Sequence, residues 1–295
     1  MKYIVKQIRN YLNITQERFA KELSTTFATV NRWEQGHTTV NKLSQLRLYE
    51  YCIKNNIPVY DMILSKIRDI NINISMKLKK DRILLYHGSK NGINEKIQPI
   101  SRSKCDFGKG FYMGTNIEQP LTLICDFEKS KFYIVSVNLK KLKRINISQD
   151  INWAMLIAYN RGKMASIQET KFYLKYANML KDFDIVIGDI ADDRMFYVLD
   201  NFFLGSITDL ALIKSLSALQ LGKQYVAITQ KACNNIKIEK EIELSLFEKK
   251  IIQKISSEDR TKGICLANDI CKGYRRKGLF FDEILDKAKG DNKVG

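Results

Sequence analysis

Histidine is nearly absent from this 295-residue chain, which has His37 and His87 and no others. An imidazole-based metal centre is therefore hard to assemble, because such sites draw on several histidines or on clustered thiolates. The cysteines do not fill the gap. Cys52, Cys105, Cys125, Cys233, Cys265 and Cys271 are scattered with no CxxC pair, a pattern of buried thiols and not of a zinc site or disulfide framework. No run of 18 uncharged apolar residues occurs, so no segment reads as a membrane span. Internal repeats and low-complexity tracts are also missing. Met1-Lys2 leads directly into an amphipathic stretch without a signal-peptide pattern, and the expectation is a soluble cytoplasmic protein that avoids membranes.

What is present is a sizeable apolar fraction and a strong positive charge. Hydrophobic residues make up 45% of the chain, enough for a real core, and the length suits one small and one moderate domain. The net charge is +17. Residues 1–60 contribute +5 of it, residues 239–295 contribute +2, and the middle keeps +10. Such an excess suits a polyanionic or dinucleotide partner without choosing between them.

The first 58 residues read as helical. Ile4, Ile8 and Tyr11-Leu12 share one face of a first helix, and Thr15 is placed to cap a second over Gln16–Leu23. Phe27–Gln35 forms a third helix that buries Val30 and Trp33 and ends at Gly36, and a fourth runs from Lys42 to Asn55 before Pro58. Residues 59–80 read as a connecting helix and a basic, asparagine-rich link. The texture then changes. Ile83–Tyr86, Phe132–Leu139, Ile185–Ile187 and Tyr225–Thr229 have strand character, with helical stretches at Ile151–Arg161 and Asp209–Ala218. From Glu239 onward the chain is charged and reads as helical, with the basic run Lys272–Lys277 ahead of an apolar Leu279–Leu285 patch.

Thr15–Gly36, TQERFAKELSTTFATVNRWEQG, resembles the XRE/phage-repressor type of helix-turn-helix. With Val30 and Trp33 inward, Phe27, Ala28, Thr29 and Arg32 face outward as candidates for the major groove of duplex DNA. Gln16 sits where a second-helix N-terminus meets a phosphate. Arg32 suits bidentate pairing to guanine, and Phe27 or the Thr29 methyl suits a thymine methyl. Repressors of this type bind palindromes, so a homodimer is expected.

The second domain has three notable strings. They are Tyr86-His87-Gly88-Ser89 at a strand end, Phe107-Gly108-Lys109-Gly110-Phe111-Tyr112 in a glycine-punctuated loop, and Gln224-Tyr225 at the start of a later strand. In this order they resemble the ADP-ribosyltransferases of the diphtheria-toxin and poly(ADP-ribose) polymerase type, and within them an uncharacterised bacterial branch, over about Ile83 to Ile238. The resemblance implies NAD as substrate and His87, Tyr112 and Gln224 as the catalytic triad. It further implies that His87 binds the adenosine ribose, that the Gly88 backbone grips the nicotinamide amide and that Tyr112 stacks on the nicotinamide ring. Ser89, Gly110 and Phe111 would complete the cofactor-binding set.

Gln224 stands where that family carries glutamate. An amide offers hydrogen bonds where a carboxylate would also stabilise developing positive charge, so mono-ADP-ribosylation is expected and chain elongation is not. On this strand-level view a Gln224→Glu change should preserve or raise NAD cleavage. No second stacking aromatic follows Tyr112 at the polymerase spacing, and Phe127 is a stand-in. An RNA 2′-phosphotransferase, related in fold, would need further basic catalytic residues that one histidine does not provide. Asp182, Asp184, Asp189 and Asp192-Asp193 tempt a metal reading, but fit a strand and polar loop better; no metal is expected.

The sequence thus predicts a multi-domain chain. An all-α helix-turn-helix head spans 1–58, a linker 59–80, and an α+β ADP-ribosyltransferase-like NAD-binding domain with a mostly antiparallel split sheet 81–238. A helical extension, 239–295, packs on it. The expected role is a toxin- or defence-like, self-regulating mono-ADP-ribosyltransferase with a protein or nucleic-acid acceptor and an antitoxin-like partner. The alternative is a transcriptional regulator whose degenerate domain only senses NAD or a related nucleotide.

Overall fold

A computed structural model of the protein describes residues 1–93, 96–101, 104–190, 193–219, 222–274 and 277–290, without the side chains of 193 and 194. The head is five helices: α1 (Lys2–Tyr11), α2 (Gln16–Glu22), α3 (Phe27–Gln35), α4 (Lys42–Lys54) and α5 (Val59–Ser75). Their starts are set by side-chain caps. The Thr15, Thr26 and Asn41 side chains accept from the backbone N–H groups of Arg18, Thr29 and Ser44, which supplies partners for donors that a helix start otherwise leaves unpaired. Gly36 closes α3 at φ +76, a left-handed position that glycine takes without strain. Val30 and Trp33 are buried, as the spacing predicts.

The rest of the chain contains β1 (Arg82–Ser89), β2 (Phe111–Gly114), α6 (Glu118–Ile124), β3 (Lys131–Asn138), β4 (Arg144–Ile147) and α7 (Ile151–Asn160). After a short 3-10 turn follow α8 (Lys171–Asn178), β5 (Ile185–Asp189), α9 (Asp193–Phe203), α10 (Asp209–Ser217) and β6 (Lys223–Ala227). Then come α11 (Gln230–Cys233), β7 (Ile236–Glu243), α12 (Leu246–Gly273) and α13 (Phe281–Gly290). The strands form one mixed seven-stranded sheet in the order β4-β5-β6-β2-β1-β3-β7. The β4–β5 pair is parallel, with α7 and α8 in the crossover between them, and the other pairings are antiparallel. The expected split is a parting and not a break. β1 and β2 are joined by the Tyr86↔Gly114 pair alone, whereas β1 and β3 run together from Arg82↔Asn138 to Ser89↔Lys131.

Three apolar clusters explain where the sheet is covered. Leu85, Phe111, Met113, Val135, Ile185 and Ala227 form a core on one face that spans both halves. On the other face each half has its own cluster, and α12 runs from one to the other, with Ala267 in the second. Tyr86, Phe132 and Ile134 merge with the head's own core and with Phe247 and Ile251 of α12. Val186 and Val226 instead meet Trp153, Leu199 and Phe202 from α7 and α9. Between these two covering layers, over the β1–β2 parting, the sheet is left open.

Two boundaries differ from the sequence reading. The stretch 59–80 is mostly α5, which buries Val59, Ile63, Leu64 and Ile67 and pairs Lys66 with the buried Glu248 of α12 at 3.0 Å. A connecting helix with an apolar stripe is packed, and the head is thereby joined to the second domain over a broad surface. The divide at 238/239 falls inside β7. That edge strand has one face on the sheet and charges outward, with Lys131–Glu241 and Ser136–Glu239 contacts along it, so in sequence its acids and lysines resemble a solvated helix. The extension proper begins at α12, where Ser245 and Glu248 form a capping box. Phe281, Leu285 and Ala288 of α13 are buried against the α9 cluster. Of the basic run, Arg275 and Arg276 lie outside the described residues.

The merged core makes the head and second domain one cooperative unit. Trp33 and Trp153, the chain's two tryptophans, report on the two parts separately. In single-tryptophan variants their fluorescence transitions in denaturant should coincide. Phe247→Ala, which empties a fully buried site in the seam, should lower both by about 3–5 kcal/mol. Two separated transitions would contradict the merged core.

Candidate functional site

The open strip of the sheet is the floor of a cleft of about 1120 Å³, of the size of a substrate or cofactor site. Its walls come from both covering layers: Tyr60 of α5, Pro120 of α6 and Asp259 of α12 on one side, Phe196 of α9 and Arg161 at the end of α7 on the other. His87, Tyr112 and Gln224, which lie 25 and 112 residues apart in sequence, all line it.

His87 is held where β1 and β2 part. Its Nδ1 lies 2.7 Å from the Tyr112 carbonyl, and its ring stacks on Phe111 with centroids 4.2 Å apart. Burial lowers its pKa to about 4, with the Tyr112 carbonyl pulling weakly the other way. The ring is therefore neutral at physiological pH, and since a carbonyl can only accept, the proton sits on Nδ1. Nε2 is left as an acceptor. Beyond Tyr86, residues 87–89 have no partner on β2, so alternate backbone groups along this edge point into the cleft.

Tyr112 is pinned at its hydroxyl, which donates to the Gly108 carbonyl at 2.7 Å and accepts from the Phe107 N–H at 3.1 Å. Burial pushes its phenol pKa well up, so the group stays protonated and the ring is a fixed face. The register places Tyr112 opposite Val226 and Gly114 opposite Gln224. Gln224 therefore lies two residues from Val226, on the same face of the sheet as Tyr112. It is 7% exposed, and its Nε2 donates to the Asp189 carbonyl at 2.9 Å.

The remaining cofactor candidates take supporting places. Gly88 is required by packing: a Cβ there would lie 2.7 Å from Ile124 Cγ2 and 2.8 Å from the Pro120 carbonyl oxygen. At Gly110 a Cβ would lie 2.5 Å from Val226 Cγ1. The Ser89 hydroxyl donates to the Gly92 carbonyl, and Phe111 is a buried platform under His87. Phe127 is not at the cleft wall, and Lys90 covers its ring at 4.1 Å. Phe196 of α9 does line the cleft, under the Arg161 guanidinium at 4.4 Å.

Asp106 is among the cleft residues that carry no role in the sequence reading. Asp106, one position before the glycine-punctuated string, is 6% exposed at the cleft and pairs with Arg161 at 2.9 Å. Asn160 donates to its carbonyl, which docks the loop on the end of α7. Burial pushes the Asp106 carboxyl above the usual range, while Arg161 and the Gln224 amide pull it back. An acid immediately before a glycine loop is the available signal, but its partner lies 55 residues away. Of the downstream acids, Asp184 is taken by Lys231, Thr229 and the Lys143 N–H, and Asp189 by Lys223. Asp192 and the Asp193 side chain lie outside the described residues.

The model of a family described as "Protein of unknown function (DUF3990)" matches residues 83–238, over half of the chain. The chain belongs to the DUF3990 family. The DUF3990 region spans β1 to the start of β7, and so includes His87, Asp106, Tyr112, Arg161 and Gln224. A family model described as "Helix-turn-helix" matches residues 5–49, so the DUF3990 domain follows a DNA-binding head. No curated protein and no solved structure matches the chain. Among the described residues no helix is long and apolar enough to cross a membrane.

On the head, Phe27, Ala28 and Arg32 lie on α3, with Phe27 and Ala28 exposed and Thr29 bonded through its hydroxyl to Thr26. Gln16 is occupied within the fold: its Nε2 donates to Glu34 at 2.7 Å, and Glu34 is paired to Arg9 at 2.6 Å. The buried Glu34 thus competes with a phosphate for Gln16.

Two outcomes follow from these placements. Arg32→Ala should weaken a selected duplex site by about 1–3 kcal/mol, read by titration at fixed salt; unchanged affinity would remove Arg32 from the interface. His87, neutral when folded and protonated below its ordinary pKa of 6.5 when unfolded, makes the unfolded chain bind more protons between pH 6.5 and 4. Stability is retained above that window and lost as pH falls through it, by up to about 3 kcal/mol. His87→Gln should flatten this part of the pH–stability curve, and an unchanged slope would count against a buried neutral imidazole.

Proposed function

We propose that the DUF3990 domain binds NAD in this cleft and transfers a single ADP-ribose to a protein or nucleic-acid acceptor. One observation carries the reading. Three strings that resemble ADP-ribosyltransferase motifs lie on β1, β2 and β6, and their His87, Tyr112 and Gln224 line one cleft over the β1–β2 parting. In the reaction the bond between ribose C1′ and the nicotinamide nitrogen breaks, and its electron pair leaves with neutral nicotinamide. An acceptor nucleophile then bonds C1′ and gives up its proton. The transition state resembles an oxocarbenium ion.

Each side chain suits a part of this. The Nε2 acceptor of neutral His87 fits a ribose hydroxyl. The pinned Tyr112 face fits the nicotinamide ring, whose position before departure lowers the barrier. Gln224 fits the nicotinamide-side ribose. With an amide there, the site relies on positioning more than on charge at position 224, which suits single transfer. NAD as substrate is compatible with the donors present, and no metal enters the scheme.

A second reading has its own support. Tyr60 of α5, in the head itself, and Asp259 of α12, which packs on the head, line the cleft. A nucleotide held there without turnover would make the protein an NAD-sensing transcriptional regulator.

Incubation with NAD labelled in the nicotinamide separates the two. The enzyme releases nicotinamide, and a mass of one ADP-ribose is added to an acceptor; the sensor binds NAD and leaves it intact. Tyr112→Ala should weaken NAD binding by roughly 0.5–1.5 kcal/mol beyond its lost area. Gln224→Ala should leave affinity nearly unchanged while lowering turnover, because its contact strengthens as charge develops. Absence of NAD binding by the wild type would end both readings.

A further inference from the structure

A smaller cavity of about 460 Å³ adjoins the cleft and shares Tyr86, Asn116 and Glu118 with it. Its other walls are Arg68 of α5, Thr115, Ile117 and Gly222. The strand register sets its place. Gly114 is opposite Gln224. Beyond that pair the Lys223 N–H donates to the Thr115 hydroxyl at 2.9 Å, and the Thr115 N–H donates to the Lys223 carbonyl at 2.9 Å. A Cβ at Gly222 would lie 2.8 Å from the same hydroxyl. The chamber thus begins next to Gln224, beside the ribose that Gln224 is read to bind.

Its charges are uncommitted. The neighbouring Lys223 is paired with Asp189 at 2.8 Å. Arg68 is exposed, and neither Arg68 nor Glu118 forms an ion pair with a described residue. An available guanidinium is a planar fork that matches a phosphate bidentately. A carboxylate nearby can take the proton of a hydroxyl or amino nucleophile, which the amide of Gln224 cannot.

We infer that this chamber is the acceptor site and takes a nucleotide, with Arg68 holding the acceptor's phosphate and Glu118 acting as general base. The acceptor's O–H or N–H bond breaks and its proton passes to Glu118. The freed electron pair bonds ribose C1′, and the pair of the C1′–nicotinamide bond leaves with nicotinamide. A phosphate is favoured over an acidic protein side chain because the anchor comes from a helix of the DNA-binding head and the net charge of +17 draws polyanions. Arg68 lies outside the DUF3990 match at 83–238, so the head supplies part of the acceptor specificity. The reaction rests on the transferase reading, but the phosphate anchor does not.

The test uses the full chain and four acceptors: a short single-stranded oligonucleotide, which gives the head no major groove to read, a free mononucleotide, its nucleoside and an acidic peptide. With NAD labelled in the adenylate, the oligonucleotide should gain one ADP-ribose. Modification of the mononucleotide as efficient as that of the strand would support the anchor and make the source a free nucleotide. A nucleoside modified as well as its nucleotide would overturn the inference, as would an adduct confined to the peptide. Nicotinamide release with no adduct on any of the four would overturn it too, while leaving NAD cleavage standing. Arg68→Gln should raise KM for the oligonucleotide by about tenfold, and by more than it raises KM for NAD. Glu118→Gln should lower kcat for transfer by about tenfold or more, with a smaller change in oligonucleotide KM. An Arg68→Gln KM or a Glu118→Gln kcat within about twofold of wild type would remove that residue from the site.

Binding judges the anchor without turnover. Arg68→Gln should weaken the labelled oligonucleotide by about tenfold at low salt and reduce the salt slope by about one, and Arg68→Lys should recover part of both. Equal affinity and slope in Arg68→Gln and wild type would overturn the anchor. A wild type that binds NAD and releases no nicotinamide defeats the transferase reading alone, and the anchor then stands or falls on this titration.

Discussion

The hydrogen bond between His87 and the Tyr112 carbonyl bridges the one place where the sheet is barely joined. β1 and β2 share the Tyr86↔Gly114 pair and then diverge, and beyond it the His87 imidazole reaches the Tyr112 carbonyl of β2. Burial keeps that imidazole neutral, which in turn assigns its proton to Nδ1 and its free lone pair to Nε2. The edge of β1, the tyrosine face on β2 and the Gln224 amide on β6 are presented together because the strands part there. A fully paired sheet would have no cleft, and a fully split one would lose the register that puts Gln224 on the Tyr112 face.

The covering layers make the opening usable. Over β1 and β3 the head, α6 and α12 form one layer, and over β5 and β6 the α7–α10 helices form another. α12 runs from the first layer into the second, where its Ala267 packs with the α9–α10 cluster and accepts from Ser215. Tyr60 and Asp259 belong to the first layer, Arg161 and Phe196 to the second, and all four face the same cleft. The DNA-binding head is thus part of the wall of a nucleotide-sized site and not an appendage on a tether. The buried Lys66–Glu248 pair marks this seam. Removing one partner of such a pair is costly because it strands the other charge away from water.

Local patterns are legible in the chain. The cap at Thr15, the inward Val30 and Trp33, and the glycine at position 36 follow from short-range chemistry, and the helices stand where those signals are. Strands β1, β3, β5 and β6 are visible as apolar, β-branched runs. β2 reads as part of a loop because its four residues follow closely spaced glycines and Tyr112 is half-buried. β7 reads as charged helix because an edge strand with one solvated face has no strong apolar signature. Gln16 looks available for a phosphate in sequence, and only the folded chain shows that the buried Glu34, 18 residues on, claims it.

Composition and short-range pattern are sufficient to say that an all-helical head precedes a mixed domain and that histidine-rich and thiolate metal chemistry has too few ligands. The resemblance of three short strings to known motifs, and not composition, groups His87, Tyr112 and Gln224. Those properties depend on residue counts and on neighbours within a few positions. Long-range packing alone sets the meeting of Asp106 with Arg161, the demand for glycine at 88 and 110 from α6 and β6, and the conversion of the stretch after the head into a packed helix in a shared core. Such contacts join residues tens of positions apart, and their energies come from burial and from paired donors and acceptors, which exist once the chain has closed on itself.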